Sequence, residues 1–298
     1  MELAHLDLAN LTGRGFSLAE QTALRQGTTT LLAKAKQQAV LVWGKVYGHR
    51  ADYVIVTCFG TDPIGPDATH FFSTDGGVTF TLLPEPTNLQ PPLAATQPEG
   101  AKEPVVPVTT MTLCGSPAMS GCVFMGEPAY EYVAVDAVSG CAFRIKEAER
   151  LACFVALHGS KCRAVPRGAV CRVEAPLGAD VDNKAKGFFG IRANAGFTGL
   201  SRDAAGKLSS YVHLRADVRP RSELEKEGVA TSLDFLDPVS EDVPAGCWNL
   251  KYQQTEDVVF GVSQWLPGAV FYHRPGTKLF GSVYVGDGAV AHDLPFML

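Results

Sequence analysis

Gly286-Asp287-Gly288 follows a strand-like run and has the look of a glycine loop that could cradle a phosphate. Such a loop must lead into a helix and then a second strand within a unit of about thirty residues. Only ten residues follow Gly288, Pro295 among them, so the segment reads as a tight turn in which Asp-Gly supplies positive φ. Metal chemistry is suggested by Cys153, His158, Cys162 and Cys171, since His158 and Cys162 are separated by three residues as in many zinc half-sites. No Cys-x-x-Cys pair anchors that set, and the four read as core residues. Ser209, Ser210 and His213 are close enough along the chain for a hydroxyl–imidazole contact, yet G-x-S-x-G, H-E-x-x-H and the P-loop are all missing.

Two further stretches invite a site and do not make one. Ser73-Thr74-Asp75-Gly76-Gly77-Val78-Thr79-Phe80 has the form of the aspartate-box hairpin of sialidase-type propellers, where the motif is repeated and structural. One copy marks a turn in which Asp75 bonds nearby amides. Asp180-Val181-Asp182-Asn183 begins like a calcium loop, but Lys184 takes a ligand position and Ala185 the place of the glycine. No catalytic residue, cofactor site or metal site follows from these groups.

The elements around them point to an α+β chain. Ser17-Leu18-Ala19-Glu20 has capping-box form and opens a helical segment over residues 1–38, with a break expected near Gly27 and Thr28-Thr29-Thr30. Residues 39–298 read as a β-rich body with a mainly antiparallel sheet, interrupted by a proline-rich loop at about 84–122. Strands are expected at 40–47 and 52–59 about a turn at Gly48-His49-Arg50, and at 69–72 and 78–82 about Asp75-Gly76-Gly77. Further strands are expected around 141–146, 151–157 and 169–173, a short helix over 201–213, and a surface loop at 178–187. An acidic stretch at 223–242 leads to strands at 246–252, 257–263, 269–273 and 279–285, the last three forming a meander with a type II turn at Arg274-Pro275-Gly276-Thr277.

Composition excludes other classes. The net charge of −5 comes without a basic stripe, which argues against nucleic acid. The longest apolar run, Leu151 to Leu157, is too short to span a membrane, and Glu2 and Asp7 precede Arg14, so no secretory signal is expected. Eight cysteines in a chain of this kind are expected as reduced thiols.

Several segments carry a family resemblance. They are Val42-Trp43-Gly44-Lys45-Val46 with Ala51-Asp52-Tyr53, Phe124-Met125-Gly126-Glu127-Pro128-Ala129-Tyr130-Glu131-Tyr132, Lys146-Glu147, Val165-Pro166-Arg167-Gly168-Ala169 and Lys207-Leu208-Ser209-Ser210-Tyr211. Ser232-Leu233-Asp234-Phe235, Trp265-Leu266-Pro267-Gly268, Phe271-Tyr272-His273 and Val283 through Leu298 continue the match in order. This chain resembles the radial spoke head protein 9 family of motile cilia and flagella, with longer segments at 84–122 and 178–187.

The resemblance implies a non-catalytic subunit of the axonemal radial spoke head, in the cytoskeleton of the cilium, without cofactor or membrane. It implies assembly with radial spoke head proteins 4 and 6 and mechanical communication between the central pair and the dynein arms. A force-bearing head needs rigid sheets and large contacts. The aromatics near the end (Trp248, Tyr252, Trp265, Phe271, Tyr272, Phe280, Tyr284) are expected to divide between core and subunit contact. Trp265, Phe271, Tyr272, Tyr284, Phe296 and Leu298 are the candidate interface residues. The apolar end Leu294-Pro295-Phe296-Met297-Leu298 is expected to dock on the chain's own core or on a neighbour. On the residues alone two other classes stay open: a hydrolase built on the lone aspartate-box and the Ser/His cluster, and a small-molecule or metal-binding module around 153–171.

Overall fold

The computed structural model describes residues 1–60, 68–85, 88–89, 108–109, 123–135, 142–173, 190–214 and 235–297. The expectations for the 178–187 loop, the calcium-like run, most of the proline-rich loop, most of the acidic stretch and Leu298 lie outside them. After a single helical turn come α1 (Leu6–Asn10) and α2 (Leu18–Ala35). Strands β1 (Ala39–Val46), β2 (Tyr53–Phe59), β3 (Thr69–Ser73) and β4 (Thr81–Leu82) follow, then the short pairs β5 (Asn88–Leu89) with β6 (Val108–Thr109) and β7 (Glu131–Val135) with β8 (Ala142–Lys146). Helix α3 (Glu147–Lys161) precedes β9 (Ala164–Pro166), β10 (Val170–Val173), β11 (Gly190–Ala193), α4 (Arg202–Ala205) and β12 (Tyr211–His213). The chain closes with β13 (Trp248–Gln253), β14 (Val258–Ser263), β15 (Ala269–His273), β16 (Phe280–Gly286) and α5 (Leu294–Met297).

Two four-stranded antiparallel meanders, one from each end of the chain, join into a sheet ordered β13-β14-β15-β16-β1-β2-β3-β4. The join is parallel, with Gly44, Lys45 and Val46 of β1 beside Tyr284, Val285 and Gly286 of β16. A bulge between Val42 and Gly44 shifts the register of β1 at this seam. Glycine is needed there: a Cβ on Gly44 would lie 2.0 Å from the Tyr284 carbonyl oxygen.

Both faces of the sheet are covered. Leu6, Leu8, Leu24 and Leu31 of α1 and α2 pack on Val42, Val54, Val56, Val270 and Val283. On the other face Leu151, Phe154 and Val155 of α3 meet Tyr53, Ile55, Phe271 and Tyr284. A strand buried on both sides loses its polar–apolar alternation. That is why all five residues of β15, and six of the seven in β2, are buried.

Three expectations are corrected. Helix α2 does not break at Gly27, because the turn of the β3–β4 hairpin lies on it: a Cβ there would fall 2.0 Å from the Gly77 carbonyl oxygen. The threonines beside it are accommodated, Thr28 and Thr29 donating their hydroxyls to the Leu24 and Arg25 carbonyls. Its capping box is present in both directions, Ser17 N–H donating to Glu20 at 2.7 Å and Glu20 N–H to the Ser17 hydroxyl at 3.3 Å. Residues 151–157 are helix, not strand, and lie inside α3. The run 201–213 is a short helix, a 3-10 turn and a strand rather than one helix, since β12 is drawn out by pairing with β9. Among the described residues no helix is long and apolar enough to cross a membrane.

Candidate functional site

The turn at Asp75 is built as its sequence suggests. One carboxylate oxygen accepts from Val78 N–H and both accept from Thr79 N–H, all at 3.0 Å, while the Ser73 and Thr79 hydroxyls also donate to it. Burial opposes the charge, but these bonds outweigh it and hold the carboxyl down to about 2. They also keep residues 78 and 79 in the turn, so β4 begins at Thr81, later than expected. Every lone pair that could serve a substrate is occupied by the turn itself.

The cysteine–histidine set does not converge. Among the described residues no group of three or more His, Cys, Asp or Glu is placed to hold a metal ion. Cys153 and His158 are buried on α3, Cys162 follows that helix, and Cys171 on β10 meets Arg192 Nε at 3.4 Å. Burial pushes the Cys162 thiol up to about 12, away from a reactive thiolate. His158 lines a cavity of about 330 Å³ with Trp43, Thr57, His70 and Arg163, and neither ring nitrogen has a hydrogen-bond partner. Burial, and next the Arg163 charge, lower its pKa to about 3. The Thr57 hydroxyl meets His70 Nδ1 at 2.9 Å as a cross-strand pair. Among these residues no triad of nucleophile, base and orienting group is assembled.

His213 is nearly fully buried and has Nε2 2.7 Å from Asp242 Oδ2, which also accepts from Trp248 Nε1 at 2.8 Å. Its other nitrogen has no partner, so neither Ser209 nor Ser210 supplies the hydroxyl that hydrolase chemistry would need. The imidazole ties β12 to the start of β13.

A buried carboxylate that the sequence did not mark does more. Glu147, the first residue of α3, is fully buried. One oxygen accepts from the Gly126 and Glu127 amides at 2.7 and 3.0 Å and from the Tyr53 hydroxyl. The other accepts from the Met125 amide at 2.7 Å and from the Tyr132 hydroxyl. Burial, then the bond to Glu147, raises both phenol pKa values, so the hydroxyls remain donors. Arg150 lies 4.0 Å from the Phe124 ring centroid and 4.9 Å from that of Tyr132. Gly126 lets the loop touch the β1–β2 turn, since a Cβ there would sit 2.2 Å from the Ala51 oxygen. This site is closed and fastens the 123–130 loop to sheet and helix. An acidic residue at a helix start is ordinary in sequence, so only the enclosure reveals it.

Of the candidate contact residues, Phe271, Tyr272 and Tyr284 are core: Tyr284 meets Trp43 and Phe154, Phe271 stacks with Tyr211 and Trp248, and Tyr272 lies under the N-terminal helices. Their places in strands covered on both faces account for them without a neighbour. Tyr284 also receives the Gly288 amide on its hydroxyl at 2.8 Å, pinning the Gly286-Asp287-Gly288 turn, which leads to α5 rather than to a returning strand. Trp265 is half-buried against the core. At the end of the chain Leu294 is buried, whereas Phe296 is 89% and Met297 77% exposed.

No protein-family model matches the chain. It is 31% identical, over 308 aligned positions, to the radial spoke head protein 9 homolog of Homo sapiens, covering 99% of this chain and 98% of that protein. With the homolog of Xenopus tropicalis the identity is 32% over 305 positions (98% and 97% covered), and with that of Bos taurus 30% over 308 (99% and 98%). Similarity running the length of these relatives leads to one assignment: the chain belongs to the radial spoke head protein 9 family.

Proposed function

We propose that this protein is a non-catalytic structural subunit of the axonemal radial spoke head in motile cilia and flagella. The observation that carries the proposal is the end-to-end similarity to radial spoke head protein 9 homologs. The fold supports it physically. A sheet clamped between helices on both faces resists bending, as a body that passes load between the central pair and the dynein arms must. Its partners on this reading are subunits of the radial spoke head protein 4 and 6 type.

The exposed pair Phe296 and Met297, and the half-buried Trp265, supply apolar surface for such contacts, whereas Leu294 anchors the segment to the chain's own core. Tagging the protein in a ciliated cell, removing the membrane with detergent and imaging the axoneme by cryo-tomography tests the role. Density at the spoke head beside the central pair is the expected result, and a tag lost with the soluble fraction rejects it. Phe296→Ser with Met297→Ser is expected to reduce incorporation into the head several-fold at unchanged stability. Unaltered incorporation removes the terminal segment from the interface.

A further inference from the structure

The two edges of the large sheet differ. At one end β4 is only two residues long, whereas β13 at the other runs for six and, among the described residues, pairs with β14 alone. In an antiparallel pair every second residue turns its backbone N–H and C=O away from the partner. None of those groups in Trp248–Gln253 bonds to other main chain among the described residues. An open edge of this length is a template for a further strand unless something guards it.

What lies beside the edge specifies the strand. Lys251 stands opposite Phe260 and so projects on the face covered by α1. A cleft of about 250 Å³ opens there, walled on the edge side by Lys251 and Gln253 and on the other by Leu11, Thr12 and Arg14. No acidic residue lines it, and neither Lys251 nor Arg14 has a carboxylate partner among the described residues. A second copy is a poor occupant: pairing about a twofold at Lys251 sets two ammonium groups opposite each other. For a carboxylate on an incoming strand, by contrast, Lys251 and Arg14 both lie on the lining of this one cleft.

We propose that the outer edge of β13 is a docking strand for an extended acidic segment of a neighbouring spoke-head protein, its carboxylate seated between Lys251 and Arg14. This rests on the spoke-head function above. Main-chain bonds supply affinity and the basic cleft supplies register, as in strand-addition complexes.

Amide hydrogen exchange over 248–253, compared between the isolated chain and intact spoke heads, tests the docking directly. The expected result is slowing of at least about tenfold for the outward amides in the head. Lys251→Glu, at an exposed position, is expected to cut incorporation about tenfold and Lys251→Arg to preserve it. Unchanged exchange in heads that contain the tagged wild-type protein overturns the proposal while leaving the spoke-head function intact; absence of the wild-type tag from heads rejects that function itself. Concentration-dependent protection in the isolated chain assigns the edge to a second copy and overturns the occupant. If Lys251→Ser raises self-association without altering incorporation, Lys251 is a guard against aggregation and the proposal fails.

Discussion

Replacing Glu147 by glutamine keeps its size and one acceptor oxygen, but turns the other into an NH₂ group that faces donors. With three amides and two phenols converging on the carboxylate, at least one buried donor then loses its acceptor. The expected cost is about 3 kcal/mol in urea unfolding, with early protease cutting near residues 123–130. Two further residues contribute to the response to acid in separate windows, beside His70 and His273, which burial also holds below the ordinary histidine value. His158 is held neutral in the fold, so the unfolded chain binds the extra proton below its ordinary 6.5, and stability falls as pH drops from there toward about 3. His158→Phe is expected to flatten that slope by about 1.4 kcal/mol per pH unit between 6 and 5, measured by urea titration at each pH. Asp75 acts in a lower window: its contribution is complete above the ordinary carboxylate value of 3.8 and is lost as pH falls through about 2. Asp75→Asn is expected to remove only this second loss.

At the scale of elements, Gly27 and α3 show what a linear pattern conveys. Alanine normally strengthens a helix relative to glycine by about 1 kcal/mol. Gly27→Ala is nevertheless expected to destabilise the protein by about 1–3 kcal/mol, because its methyl group meets backbone of the β3–β4 turn, and backbone cannot swing aside. Thermal unfolding of the single variant checks this. The β14–β16 meander, the β1–β2 hairpin and the Ser17 cap were legible because local signals set them: β-branched runs, turn residues and a hydroxyl–carboxylate pair. Helix α3 was not. Leu151, Ala152, Cys153, Phe154 and Val155 are buried in succession, and this short apolar run reads as a strand by itself, although the polar–apolar period over Glu147–Lys161 as a whole is helical. The Glu147 site was hidden for a related reason, since its five donors come from three separate segments.

For the whole molecule, the order of short motifs along the chain pointed to the family before any geometry was known. Surface assignments were less legible, because an aromatic on a strand looks the same whether it faces the core or a neighbour. The parallel seam between β1 and β16 has a consequence for synthesis. Residues 44–46 are made about 240 residues before their neighbours 284–286. The N-terminal meander therefore waits with an open, apolar edge until β16 has been made, a topology of high contact order that folds slowly. Nascent chains stalled before β16 are expected to be protease-sensitive and bound by chaperones, so that closure of this one seam limits the supply of folded protein.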